Sequence, residues 1–297
     1  MKEGSTKANK GKTPHAVSAP VSPATERHAL HARGRAKEPK RMSQTSRGGP
    51  ARGTDRFDLV MGDEGSGVRS RRARSGPETE LVQQFLLDWP LNAPGCCRIT
   101  VFQEPRLLSG FPDLVAVLWH EPTAMRWDAA RARLSGDDFR LIHILATLGP
   151  QPEERLAQLF HHRRVGRALE QLAVLGLVSK RRGTWRATAL RETFAVRRII
   201  AFEAKVSDWR SAIEQASLNR WFTSESYVLL PRAPRGRALL DAASKAAVGV
   251  WIVGEPAPVL DCPADHAQPV SYASWLFNEW AWRCAQAKGR GAKELPR

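Results

Sequence analysis

Residues 114–118 read Leu-Val-Ala-Val-Leu, and residues 199–202 read Ile-Ile-Ala-Phe. A strand with one wet face alternates apolar and polar side chains, whereas near-continuous apolar runs of this length suit strands covered on both faces. The chain is therefore constrained to a sheet with helices laid on either side. Pro77-Glu78-Thr79-Glu80 precedes Leu81, Val82, Phe85 and Leu86, which predicts a helix with acids in its first turn, ended before Pro90. Strands are predicted over 98–103 and 113–119, joined by a loop through Leu108-Ser109-Gly110. Further on, a helix over 208–222, N-capped by Asp208 and packed through Ala212, Ile213 and Ala216, precedes a strand over 226–230. A helix over 235–247 and a strand over 248–253 follow, and a last helix runs from Tyr272 to about residue 287. Its Trp275, Trp280 and Trp282 stand among Leu276, Phe277 and Ala281, so they read as packing against the sheet rather than as base-stacking platforms. The order predicts an α/β fold with a mixed central sheet flanked by helices.

A different pattern interrupts this order. Phe139, Leu141, Ile142, Leu145 and Leu148 make one amphipathic helix ending at Gly149-Pro150, residues 153–160 a second and 165–175 a third. Gly176-Leu177-Val178 and then Lys180-Arg181-Arg182-Gly183-Thr184-Trp185 read as a short hairpin with a basic tip. Three helices and a hairpin resemble a winged helix. The expected plan is a core in two parts, 77–126 and 196–297, with residues 127–195 inserted between them. The resemblance implies base contacts from Arg163, Arg164 and Arg167 near the start of the third helix, and phosphate contacts from Lys180, Arg181 and Arg182 in the wing. The alternatives are a solvated basic helix or a module docked on a protein partner. His161 and His162 have no third ligand at a helical spacing and read as surface or capping residues.

Composition narrows the partners. The 297 residues carry 46 Lys+Arg against 30 Asp+Glu, a formal charge of +16, which favours a polyanion such as nucleic acid. Residues 1–76 hold 17 Lys+Arg and 7 Asp+Glu with few large apolar side chains, and are expected to form a disordered basic tail that cannot offset its chain entropy. Such a tail either adds non-specific affinity through counterion release or is a solvated extension. Four cysteines without paired CxxC spacing fit free thiols in a reducing compartment and argue against structural zinc. No stretch reaches 18 consecutive apolar residues and the N-terminus is polar, so a cytoplasmic protein without a membrane partner is expected.

The chemistry sits at strand ends. The two-residue period of a strand puts Glu203 and Lys205 on one face, with Phe202, Ala204 and Val206 on the other. A carboxylate and an ammonium at the end of an apolar strand are costly unless paired or bound to an ion. Phe111-Pro112-Asp113 heads the other apolar run. Two acids and a lysine offered by adjacent strands are what a metal-dependent phosphodiesterase needs.

Taken in order, Phe111-Pro112-Asp113 and Glu203-Ala204-Lys205 resemble the motifs of the PD-(D/E)xK nuclease superfamily, and the element order resembles its restriction-endonuclease-like fold. The likeness covers about residues 77–254 apart from the insertion; the family usually joins its two motif strands by a shorter connection. The resemblance implies Mg²⁺ or Mn²⁺ held by Asp113 and Glu203, with Glu80 and the carbonyl of Ala204 as further ligands and Glu78 as a weaker candidate. It implies that Lys205 orients the attacking water and stabilises the transition state, and that Gln215, one helical turn before Asn219, positions a phosphate or that water. Glu104 and Asp208 are read as structural. Double-stranded DNA is the implied substrate, and a homodimer is compatible with the class. Two rival readings are a non-catalytic winged-helix DNA-binding regulator on a nuclease-like scaffold and an interaction protein whose basic tail binds RNA, since fold alone does not fix function.

Overall fold

In the computed structural model, which describes residues 57–62, 67–72, 74–160, 165–263 and 270–291, the two apolar runs pair as central neighbours. The sheet runs β1 (Asp58–Val60), β2 (Cys97–Gln103), β3 (Leu114–His120), β7 (Val196–Ala204), β8 (Glu225–Leu230), β9 (Gly249–Ile252) in spatial order. It is mixed: β1 is parallel to β2, β2–β3 and β3–β7 are antiparallel, and β7–β8 and β8–β9 are parallel.

β1 corrects the expected tail boundary. Val60 and Val68, within residues 1–76, are fully buried, and Phe57 and Leu59 pack against the core. A three-residue strand leaves almost no periodicity to read, and its pairing is decided by the open edge of β2 rather than by propensity. Asp58 adds bonds from Arg98 at 2.8 Å and Lys288 at 3.0 Å. Residues 1–56 of that expected tail lie outside the described residues.

Helices cover both faces. On one, α1 (Pro77–Leu87) lays Leu81, Val82 and Phe85 against Phe202, Tyr227 and Trp251. On the other, α9 (Tyr272–Gly291) buries Trp275, Phe277, Trp280 and Trp282 against Val115, Val117 and Ile199. The three tryptophans thus pack as their apolar neighbours predicted. α7 (Trp209–Asn219) and α8 (Ala238–Lys245) cover β8 and β9 through Ala212, Ile213 and Leu239. Asp208 caps α7, its Oδ1 accepting from Ser211 N at 3.2 Å. No described helix is long and apolar enough to cross a membrane.

Between β3 and β7 the chain leaves the sheet. α2 (Glu121–Ala124) and a 3₁₀ turn (Ala129–Arg133) lead to α3 (Gly136–Leu148), started by a reciprocal Ser135–Asp138 capping box. β4 (Gln151–Pro152), α4 (Glu153–Phe160), α5 (Val165–Val174), β5 (Val178–Arg181) and β6 (Thr184–Ala187) follow, and α6 (Leu190–Thr193) returns the chain to β7. The three strands form a small antiparallel sheet of order β4-β6-β5. Arg182 (φ 49°) and Gly183 (φ 78°) close the β5–β6 hairpin as a two-residue turn whose twist needs positive φ at both positions. The segment shares its core with the rest of the fold, since Phe139, Ile142, Leu145, Leu169 and Trp185 belong to the apolar cluster built around α9 and the sheet.

Candidate active site

The antiparallel register between β3 and β7 sets Leu114 opposite Phe202, so Asp113 and Glu203 face each other one step beyond, at the end of the sheet. Opposed positions project to the same face with Cβ atoms about 4.5–5.5 Å apart. Phe202 and Ala204 enter the apolar layer beneath α1, which sends Glu203 to the opposite face, while Lys205, just past the end of β7, reaches Glu78 on α1. Each side chain is then held by one bond. Asp113 Oδ2 accepts from Ala204 N at 2.8 Å, Glu203 Oε1 accepts from Asn219 Nδ2 at 2.6 Å, and Lys205 Nζ donates to Glu78 Oε2 at 3.2 Å. All three open on one cleft of about 620 Å³, lined also by Arg71, Arg74, Glu104, Phe111 and Gln215.

Two neighbouring acids, Glu203 buried and Asp113 half-buried, resist ionisation. Burial, reinforced by the charge of Asp113, pushes the Glu203 carboxyl up to about 8, against the pull of Asn219 and Lys205. Burial also raises Asp113, opposed by its bond from the Ala204 amide and by Lys205. An acid raised in the folded state binds its proton more tightly there than in the unfolded chain, so ionising it costs stability. For Glu203 the cost is absent below about 4.5, grows as pH rises, and is complete above about 8. Glu203→Gln keeps the acceptor for Asn219 and removes the charge. The variant is therefore expected to gain more melting temperature over the wild type at pH 8.5 than at pH 4.5 when both are metal-free; equal shifts at the two pH values would show that burial does not strain this carboxylate.

The donor set fits a hard divalent cation. One oxygen of each acid is committed, which leaves Asp113 Oδ1 and Glu203 Oε2 for an ion, and oxygen ligands suit Mg²⁺ or Mn²⁺. Among the described residues no group of three or more His, Cys, Asp or Glu is placed to hold a metal ion, so the protein offers at most this pair of acids. An ion here would take its remaining ligands from backbone, water or substrate, as Mg²⁺ commonly does.

Several expected residues move. Glu80 is exposed and lies outside the cleft, whereas Glu78 lines it. The two are about 200° apart around a helix, so only one can face the site, and the first turn alone does not set which. Glu104, expected to be structural, is 6% exposed and lines the cleft. Gln215 lies at the rim with its side chain exposed, and its predicted neighbour Asn219 is the residue that touches Glu203. Arg71 and Arg74 come from the stretch expected to be a tail, where a run of arginines gives no hint of a fixed path.

In the inserted segment, Arg163 and Arg164 lie outside the described residues, as do His161 and His162. Arg167 is exposed on α5 and borders a shallow depression with Asp137 and Asp138. Lys180 is drawn to Glu153 at 3.7 Å and lies 5.2 Å from the Trp185 ring centre, while Arg181 and Arg182 are exposed at the hairpin tip. Comparison with protein-family models, curated proteins and solved structures finds no match. The functional reading stands on the geometry of the site.

Proposed function

We propose that the protein is a metal-dependent nuclease of the PD-(D/E)xK type that cuts double-stranded DNA. The observation that carries this reading is the placement of Asp113 and Glu203 in register across adjacent strands, with Lys205 in the same cleft. A scaffold without chemistry gains nothing from setting a buried and a half-buried acid side by side, because each raises the cost of ionising the other. The mixed sheet, with its flanking helices and both motifs at one end, supports a restriction-endonuclease-like fold.

Asp113 and Glu203 would hold Mg²⁺ or Mn²⁺. The bound ion would lower the pKa of a water and offset charge growing on the phosphate. The protein's own groups prepare the rest. Asn219 and the Ala204 amide fix the two carboxylates, so neither must reorganise during the reaction. Lys205, with its side chain 18% exposed, presents a partly desolvated ammonium to the cleft, where it orients the nucleophile and stabilises developing negative charge. Gln215 at the rim is placed to bind a phosphate oxygen.

Residues 127–195 are read as an inserted winged helix, supported by α3, α4 and α5 followed by the β5–β6 hairpin with its exposed Arg181 and Arg182. Those two arginines would meet phosphates of the duplex. The same exposed pair favours the rival reading, a regulator that binds duplex without cutting it. One experiment separates them. Supercoiled plasmid and end-labelled linear duplex are incubated with the protein in Mg²⁺, Mn²⁺ or EDTA, beside a variant carrying Arg181→Gln and Arg182→Gln. Cutting with either cation, none in EDTA, and a higher protein requirement for the variant are expected. Tight duplex binding without cutting of either substrate would transfer the assignment to the regulator.

A further inference from the structure

The cleft's two arginines lie on a basic segment of which residues 67–72 and 74 are described. Residues 69–72 read Arg-Ser-Arg-Arg and run antiparallel to residues 104–106. Arg106 N donates to Arg69 O at 2.7 Å, Arg71 N donates to Glu104 O at 3.0 Å, and Ser70 and Pro105 form a bridge between them. Val68 is fully buried just before this run, and the Thr79 hydroxyl on α1 donates to the Arg74 carbonyl at its far end. Ordering an arginine-rich segment costs chain entropy and concentrates like charge, so its being pinned at both ends calls for a reason.

Glu104 supplies a second, independent observation. Its φ of 44° is a left-handed conformation that non-glycine residues seldom adopt, at the point where β2 ends. The Glu104 side chain, 8% exposed, pairs with Arg71, whose guanidinium also lies 5.1 Å from the Phe111 ring centre. Arg71 is thereby aimed by two contacts while its own side chain stays 44% exposed. Lys205 is tied to Glu78, and Arg74 makes no ion pair among the described residues. Beside the two acids the cleft thus offers one guanidinium held by Glu104 through Nε and still 44% exposed, and one without an ion pair among the described residues. Guanidinium is the side chain best matched to phosphate oxygens.

We infer that Arg71 and Arg74 form a phosphate clamp that grips the nucleic-acid backbone entering the cleft, with Glu104 positioning Arg71 as a stand-in anion until a phosphate takes its place. The inference rests on the nuclease reading for the identity of the strand in the cleft. The clamp itself needs no metal.

The test is binding of a short duplex by the full-length protein in EDTA across a range of salt concentrations. Each arginine that neutralises a phosphate contributes about 0.9 to the slope of log K against log salt. Arg71→Gln and Arg74→Gln are each expected to flatten the slope by about that amount. Glu104→Gln removes a competing anion while leaving the cation, and is expected to tighten binding by about two- to fivefold, the scale of one exposed charge interaction. If Arg71 only neutralises a buried acid, Arg71→Gln and Glu104→Gln lower the melting temperature together and leave the slope unchanged, which overturns the clamp. Cleavage in Mg²⁺ is scored separately. Intact cutting with an unchanged slope removes the clamp and keeps the nuclease, whereas a flattened slope in a protein that never cuts keeps the clamp and removes the nuclease.

Discussion

A Lys205→Ala variant is expected to lose metal-dependent cleavage by about 10²–10³-fold, the range for removing one preorganised charge donor from an active site. Duplex affinity should stay within about twofold, because phosphate contacts elsewhere dominate binding. The structure makes this substitution a clean probe. Lys205 sits at the end of β7, where its backbone N donates to Leu229 O, a bond that alanine keeps. Among the described residues its ion pair is with Glu78, which is 47% exposed and can be solvated once the ammonium is gone. The melting temperature should therefore fall only modestly, through the lost attraction of Lys205 for Asp113 and Glu203, while the rate falls steeply. Asp113→Asn should give the same pattern by another route, since the amide still accepts the bond from Ala204 N but no longer offers a charge to a cation. Wild-type rates in plasmid cleavage for either variant would remove these residues from the chemistry.

How much of this was readable beforehand follows the strength of each pattern. The long apolar runs named the central strands, and Glu203 and Lys205, expected on one face, line one cleft. Asp113 followed because it heads the neighbouring run. What failed had no period to carry it. β1 is three residues long and paired by a sheet edge, so Phe57, Leu59 and Val60 looked like scattered apolar residues in a basic tail. Arg71 and Glu104 reach the cleft through a bridge between two irregular segments and a left-handed backbone at Glu104, neither of which leaves a local signature. Glu78 and Glu80 show the limit for helices: the pattern gave the helix but not its rotation about its axis. Asn219 was visible only as a polar residue one turn after Gln215, and its contact with Glu203 depends on how α7 crosses β7.

Glu279→Ala is expected to destabilise the fold by about 3–5 kcal/mol, the cost of leaving one buried partner of an ion pair uncompensated. Glu279 on α9 has no solvent exposure, and Arg131, near the start of the inserted segment, is 3% exposed. Arg131 Nε donates to both Glu279 oxygens at 3.0 Å, its Nη2 donates to Thr193 O at 2.7 Å, and its guanidinium lies 3.6 Å from the Trp127 ring centre. Asn278 joins the network, donating to Glu279 at 3.0 Å and accepting from Ala195 N at 2.8 Å. The network therefore ties the first and last turns of the insertion to the same helix that packs on the central sheet. Denaturant unfolding followed by circular dichroism measures the loss, and a drop below about 1 kcal/mol would mean that the pair fastens nothing. The double variant Arg131→Met, Glu279→Leu should recover most of the stability, because an apolar pair of similar volume can replace a buried ion pair. A separately folding insertion would melt alone in Glu279→Ala and leave the core intact. The shared apolar cluster argues for one transition instead. On the nuclease reading, that coupling holds the β5–β6 hairpin at a fixed distance from Asp113 and Glu203, so a duplex gripped by Arg181 and Arg182 meets the cleft at a set register.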